Sequence, residues 1–280
     1  MSVVDESVAT GALARLPPVP ARTRLAWLRL ATGVLLLIGL LVFAWININA
    51  SLSELVSGIF GSHGIGDIIR RSVPPKGDVL KRSIQDSIVT FNTAVLGTFF
   101  ATVVSLLLVP LGARNLAPNR VLYEIARTIF AITRSIPDLI FALLFVAAVG
   151  LGPFSGMLAL AVHSVGIMGK LYSEAVEEMD TAPVDALRVA GAGRGQVFLH
   201  AVLPGISTTL VGLTLYRFDV NFRSSLVLGL VGAGGIGFDI NQSISLFQYR
   251  EVFTELAVVL VFVLAIERVS TTLRGRLGHQ

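Results

Sequence analysis

The sequence predicts an all-α integral membrane protein of about six transmembrane helices, and three observations carry that prediction. Of its 280 residues, 54% are apolar and only 14% charged, with a mean hydropathy of +0.78. Ordinary soluble domains hold about 25% charged residues. A soluble fold of this size could not hide so much apolar surface from water. Second, the apolar residues fall in runs long enough to cross a hydrocarbon layer of about 30 Å, which takes roughly 20 helical residues. Third, the basic residues mostly flank those runs. These features exclude a soluble enzyme, a disordered chain and a nucleic-acid-binding module. The formal charge of +4 therefore reads as topology rather than as a polyanion partner. With no cysteine in the chain, disulfides, thiolate metal sites and cysteine nucleophiles are out.

The first run spans Leu25 to Ile48 behind Arg15, Arg22 and Arg24. It is too long for a secretory signal and has no small-residue cleavage site, so it reads as a retained anchor (25–49) behind a cytoplasmic tail (1–24). Residues 50–84 form a polar loop on the far side, with a short amphipathic piece (Leu52, Leu55, Val56, Ile59, Phe60) and a helix-breaking Pro74-Pro75. Five further spans follow at about 86–110, 128–149, 154–178, 203–220 and 252–269, within a core at 85–275. The stretch 121–134 is a candidate separate helix. Turn signals close the second span (Pro110, Gly112) and the third (Gly150, Gly152, Pro153). Basic residues in 1–24, 111–122, 179–202 and 270–280 place those segments, and both termini, in the cytoplasm. Arg70, Arg71, Lys76, Lys81 and Arg82 in the 50–84 loop dissent.

Within the cytoplasmic loop 179–202, the stretch DALRVAGAGRGQVFLHAVLP (185–204) is too polar to span. Asp185 to Ala190 reads as a helix, Gly191-Ala192-Gly193 as a sharp turn, and Arg194 to Ala201 as a second helix ending before Pro204. Gly191 or Gly193 supplies the left-handed residue that ends the first helix. The result is a compact knob exposing Arg188 and Arg194, suited to docking into a partner rather than to catalysis.

This stretch resembles the EAA loop of ABC importer permeases, of pattern E-A-A-x3-G-x9-I-x-L-P. Here it reads Asp185-Ala186-Leu187, three residues, Gly191, nine residues, then Ala201-Val202-Leu203-Pro204. The spacing matches throughout, with Asp for Glu, Leu for the second Ala and Ala for Ile. Residues 126–154, 168–180 and 216–237 are similar to the permeases of phosphonate importers. The resemblance implies a MetI-like permease core of five helices plus the anchor helix, in a bacterial cytoplasmic membrane. It also implies a second permease copy (the same chain or a close paralogue), two cytoplasmic ABC ATPases, an extracytoplasmic binding protein, and a phosphonate, phosphite or phosphate as cargo. The ATPase dock would comprise Asp185, Ala186, Leu187, Arg188, Gly191, Arg194, Leu203 and Pro204.

Other motifs are weaker. Gly232 to Gly237 satisfies G-x-G-x-x-G, but no βαβ context surrounds it; a re-entrant turn where backbones pack closely is the better reading. No phosphate-binding G-x-x-x-x-G-K-[ST] occurs, so ATP hydrolysis belongs to another subunit. The four His are scattered, and neither cofactor nor metal is expected. His163-Ser164 lacks a third hydrolase partner in sequence. Ionisable residues inside spans are costly and mark pathways or partners. Arg134 and Asp138, with Ser135 between them, either form an i,i+4 ion pair across Pro137 or line a path. Lys170 and Glu174 read as a snorkelling pair. Arg217 and Arg223, with Asp219, cluster near the outer end of the fifth span, where guanidinium groups suit an oxyanion. The candidate translocation path is thus Arg134, Ser135, Asp138, His163, Arg217 and Arg223. The alternatives are an ABC permease for another small solute and an ion-coupled secondary transporter. The latter lacks an evident inverted repeat and an acidic relay.

Overall fold

A computed structural model describes residues 24–48, 51–61 and 64–277. The tail with Arg15 and Arg22, and His63 and His279, lie outside the described residues. Every regular element among the described residues is helical. The chain divides into two units, 1–66 and 67–280.

In the first unit, α1 (Arg24–Asn47) is apolar all round, and its described side chains are all exposed. A helix without a polar face is a membrane span. Its polar side chains turn back on the helix: Thr32 donates to the Leu28 carbonyl and Asn47 to that of Phe43, leaving little for lipid to desolvate. A short helix, α2 (Leu52–Phe60), covers the expected amphipathic piece, with Ser51 capping its N-terminus through the Glu54 N–H.

The helix α3 (Ile65–Ser72) begins in the last residues of the first unit and ends, in the second, before a cis Val73–Pro74 bond, where the Pro pair was expected to break any helix. The long α4 (Leu80–Gly112) then packs along α7 (Pro153–Glu178). The contact follows from small residues at three- and four-residue spacing on α4: Ala94, Thr98, Ala101 and Ser105, all buried. Lipid supplies no hydrophobic drive between helices, so close backbone approach and dispersion must hold them. Between these two helices in sequence, α5 (Arg120–Ser135) and α6 (Asp138–Val149) meet at 88°. The single span expected at 128–149 is therefore a broken pair, and 121–134 is indeed a separate helix. Pro137 is the cause: it forces Ile136 to extended angles (φ −86°, ψ 121°) and cannot continue a hydrogen-bonded turn. The fully buried Phe130 of α5 lies over Gly169 of α7.

The knob follows as α8 (Ala182–Val189) and α9 (Arg194–Val197). Its second helix does not stop at Pro204. It runs through a π turn (Phe198–Val202) into α10 (Leu203–Leu230), one continuous rod from 194 to 230. The π turn lets proline sit inside it. Leu203 N–H bonds to the Phe198 carbonyl five residues back, widening the backbone where Pro204 offers no donor. The fifth span thus extends ten residues past the expected 220. It closes in a turn at 231–235, with Gly232, Gly234 and Gly235 at positive φ, before α11 (Ile236–Ser245). The Gly232–Gly237 motif is this turn, where Gly234 packs on Pro153, Gly235 on Thr90 and Gly237 on the Leu226 carbonyl. Finally α12 (Tyr249–Leu277) packs on α4, α10 and α11. Its N-terminus is tied to 74–76: Lys76 pairs with Glu251 at 2.6 Å and Arg250 donates to the Pro74 carbonyl at 2.7 Å. That carboxylate holds the Lys76 ammonium above its ordinary range.

Four described helices are long and apolar enough to span a membrane, five if the bent pair counts as one. The count of six is not reproduced. The expected span 252–269 lies within α12, where the apolar stretch 256–266 is bounded by Glu255 and by Glu267 and Arg268; α12 is not one of the four.

Candidate functional site

Two places in the second unit gather polar groups in ways packing alone does not demand. The first is the knob. Its inner side is apolar: Val184, Val197, Ala201 and Val202 are buried against Val109, Ala113, Tyr172 and Val176. Its outer side presents Asp185, Ala186, Arg188 and Arg194, with Val189 91% exposed at the tip. Gly191 has φ +80°, and the bonds Gly191 N–H to the Arg188 carbonyl and Ala192 N–H to that of Leu187 close α8. Arg188 clamps the knob to the preceding turn through the Asn115 carbonyl (3.1 Å) and pairs with Asp185 at 3.5 Å. Leu203 is half-buried and Pro204 exposed where the rod leaves the knob. A cleft of about 420 Å³ opens beside it, lined by Pro110, Asn115, Pro118, Arg188, Arg194 and Phe198.

Glu177 anchors the base of this region, accepting from the Arg114 N–H and the Arg127 guanidinium, both at 2.7 Å. The pair is partly solvated, so its removal is worth about 1 kcal/mol. Glu177→Gln is expected to lower the thermal midpoint of the purified protein by about 2–4 °C, read by heating followed by size-exclusion chromatography.

The second place lies deep among α4, α7 and α10. Arg217 is only 6% exposed. Its Nε donates to Ser164 Oγ (2.9 Å), Ser164 donates to Asn221 Oδ1 (3.1 Å), and Asn221 Nδ2 donates to Thr98 Oγ1 (2.9 Å). Thr98 closes the relay on the Ala94 carbonyl at 2.7 Å. Arg217 Nη2 is buried with no hydrogen-bond partner. Beside this relay sits the α5–α6 break: His163 Nδ1 bonds the Ile136 carbonyl at 3.0 Å, and the charge of Asp138 reaches both His163 and Arg217. Asp138 itself accepts from the Leu139 N–H at 2.9 Å.

Residues 107–277 match the family described as binding-protein-dependent transport system inner membrane component. The chain belongs to this family. Among similar proteins, the phosphite transport system permease protein PtxC of Stutzerimonas stutzeri is 39% identical, over 89% of this chain and 90% of its own. The phosphate-import permease protein PhnE of Mycolicibacterium smegmatis is 38% identical, over 77% of this chain and 41% of its own. A solved inward-facing form of the MetNI methionine ABC transporter matches with a TM-score of 0.60 at 23% identity, covering 72% of this chain and 97% of that one. That likeness shows a shared fold.

For this ABC importer permease, the site residues expected from the sequence divide clearly. The structure brings Asp138, His163 and Arg217 together. It does not bring Arg134, Ser135 and Arg223 to them. Arg134 is exposed and makes no ion pair with Asp138, because the 88° break removes the i,i+4 relation. Ser135 turns its hydroxyl back to the Ala131 carbonyl at 2.6 Å. Arg223 is 52% exposed in its side chain and paired with Asp219. Arg217 lies within α10, thirteen residues before its end at Leu230. Lys170 and Glu174 form the expected pair at 3.2 Å. Thr98 and Asn221 escaped the sequence reading, and Ser164 entered it only as half of a rejected hydrolase pair; the available signal was a polar residue inside each of three apolar helices. A further buried polar group was also missed. It joins Arg82 to Asp86 and Asp239 and lets Ser243 donate to Glu255 at 2.9 Å.

Proposed function

We propose that this permease carries phosphite or a related phosphorus oxyanion, phosphonate or phosphate, across the cytoplasmic membrane by ATP-driven alternating access. The observation that carries the reading is the identity with the phosphite permease, which extends over nearly the full length of both chains. In this reading two permeases, identical or paralogous, enclose the path, and an extracytoplasmic binding protein delivers the anion. Two cytoplasmic ATPases grip the knob through Asp185, Ala186, Leu187, Arg188, Gly191 and Arg194, and Leu203 and Pro204 pass the movement to α10. The continuous rod from 194 to 230 supports this coupling, since a displacement at the knob travels along one helix to the depth of Arg217. Both termini face the cytoplasm with the knob.

The test is uptake of phosphite, methylphosphonate and phosphate into proteoliposomes holding the permease, its ATPase and its binding protein. Uptake is expected only with ATP and all three components. Accumulation driven by a proton gradient without the ATPase would overturn the reading in favour of a secondary transporter.

A further inference from the structure

We propose that Arg217 forms an oxyanion-binding step midway along the permeation path, oriented by Ser164 and opposed by Asp138 as its resident counter-charge. The proposal rests on the phosphorus-oxyanion reading above and names the point inside the membrane where the cargo is handled.

Depth comes first. Arg217 sits roughly 20 Å from either end of α10 at 1.5 Å per residue, well inside a helix long and apolar enough to cross a membrane. A charge there is costly and is kept where a pathway or a partner requires it. The partly buried Arg127 is neutralised at contact distance by Glu177, and the buried carboxylates Asp239 and Asp219 are neutralised by the exposed Arg82 and Arg223. Arg217 is treated differently. Its one close side-chain partner is the neutral Ser164, and Nη2 is left without any.

The relay behind it explains the orientation. Ser164 spends its hydrogen on Asn221, so its oxygen can only accept from Arg217 Nε. Asn221 is fixed in turn by Thr98, and all four residues are buried. The guanidinium plane is thereby held while Nη2 stays uncommitted. That is the fork which meets two oxygens of a tetrahedral anion. Asp138 opens α6 two residues past the Ile136 carbonyl that His163 binds, and His163 adjoins the Ser164 that holds Arg217, which sets this carboxylate on the same side of α7 without a contact ion pair. An arriving anion takes over the role of that carboxylate, and the carboxylate later helps expel it. Weak, reversible binding is what a permeation path needs.

The experiment uses the assembled transporter in proteoliposomes and measures uptake of phosphite, methylphosphonate and phosphate separately. Arg217→Gln is expected to lower uptake of all three at least tenfold while the complex still assembles, and Arg217→Lys to recover part of it. Ser164→Ala keeps the charge but frees the guanidinium, and is expected to lower uptake several-fold. Asp138→Asn removes the competing carboxylate. In equilibrium dialysis with labelled phosphate, the purified permease–ATPase complex carrying it, without binding protein, should bind at least threefold more tightly than wild type. The double variant with Arg217→Gln should lose that gain. A merely structural Arg217 would leave the phosphate binding of Asp138→Asn at the wild-type level, and that result overturns the site. Should Arg217→Gln fail to assemble, Ser164→Ala and Asp138→Asn decide. Unchanged uptake in Ser164→Ala, with unchanged binding in Asp138→Asn, overturns the proposal. Wild-type vesicles that carry none of the three anions overturn both this site and the substrate reading beneath it.

Discussion

Replacing Gly191 by proline is expected to abolish co-purification of the ATPase subunits with the permease. Gly191 stands at φ +80°, where α8 ends and the chain doubles back to α9. Proline is locked near −65° and has no N–H, so the turn loses both its left-handed residue and the 3.0 Å bond to the Arg188 carbonyl. The knob can then no longer hold Asp185, Ala186 and Arg188 on one outer surface. Gly191→Ala supplies the graded comparison. Nothing lies within 4 Å of the added Cβ, so the cost is the left-handed strain alone, about 1 kcal/mol. Affinity purification through a tag on the permease should show full ATPase recovery for wild type, a reduced yield for Gly191→Ala and none for Gly191→Pro. The anchoring residues Val184, Val197 and Val202 belong to the apolar core beneath the turn, so the Pro variant is expected to remain monodisperse alone. Stoichiometric ATPase recovery with Gly191→Pro would remove the knob as the dock.

The contrast between what the sequence revealed and what it hid has physical reasons. Long apolar runs showed because each residue of a span reports its own solvent preference. The 88° break did not show in the same way, because Arg134, Ser135 and Asp138 beside Pro137 are too few to take the two helices together out of the span range of hydropathy. Hydropathy registers composition, not direction. The early end given to the fifth span has the opposite cause. Arg217, Asp219, Asn221 and Arg223 lower the local apolarity, yet the helix continues to Leu230. Three of those four side chains point inward, where Thr98 and Ser164 satisfy Asn221, Ser164 receives Arg217 and Arg223 neutralises Asp219. Such relays join residues far apart in the chain, Thr98 to Asn221 and Arg127 to Glu177, and no local pattern encodes them. The knob was legible because it is local. A helix, a left-handed glycine and a second helix within twenty residues are written in propensity and turn chemistry. Its fusion to α10 was not, because proline ordinarily ends a helix, and only the π turn before Pro204 reverses that expectation.

The largest stability effect is expected from Gly166, where α5 presses directly on α7. A Cβ on Gly166 would stand 2.3 Å from Thr133 Oγ1, 2.5 Å from the Arg134 backbone nitrogen and 2.7 Å from the Phe130 carbonyl oxygen. A threonine hydroxyl can swing aside, but two backbone atoms of one helical turn cannot. The C-terminal turn of α5 must therefore withdraw as a unit. That turn leads straight into Ile136 and Pro137, so the His163 bond to the Ile136 carbonyl is stretched with it. Phe130, seated over Gly169 and Gly112, is dragged from its place. Overpacking of a close-packed interior costs about 1–3 kcal/mol, and an unyielding backbone on the receiving side puts Gly166→Val at the upper end. For a chain of this size about 3 kcal/mol lowers the thermal midpoint by roughly 10 °C. Gly212→Ala is the matched control: it lies inside α10 with nothing within 4 Å, and alanine suits a helix interior better than glycine by about 1 kcal/mol. Heating the purified permease and reading the surviving monodisperse fraction should show Gly166→Val melting far below wild type and Gly212→Ala at or slightly above it. Equal midpoints for Gly166→Val and wild type would mean that α5 does not seat against α7 at Gly166. The placement of Asp138 beside His163 would fall with that contact, because the same turn of α5 leads into the Ile136 carbonyl that His163 binds and into Asp138.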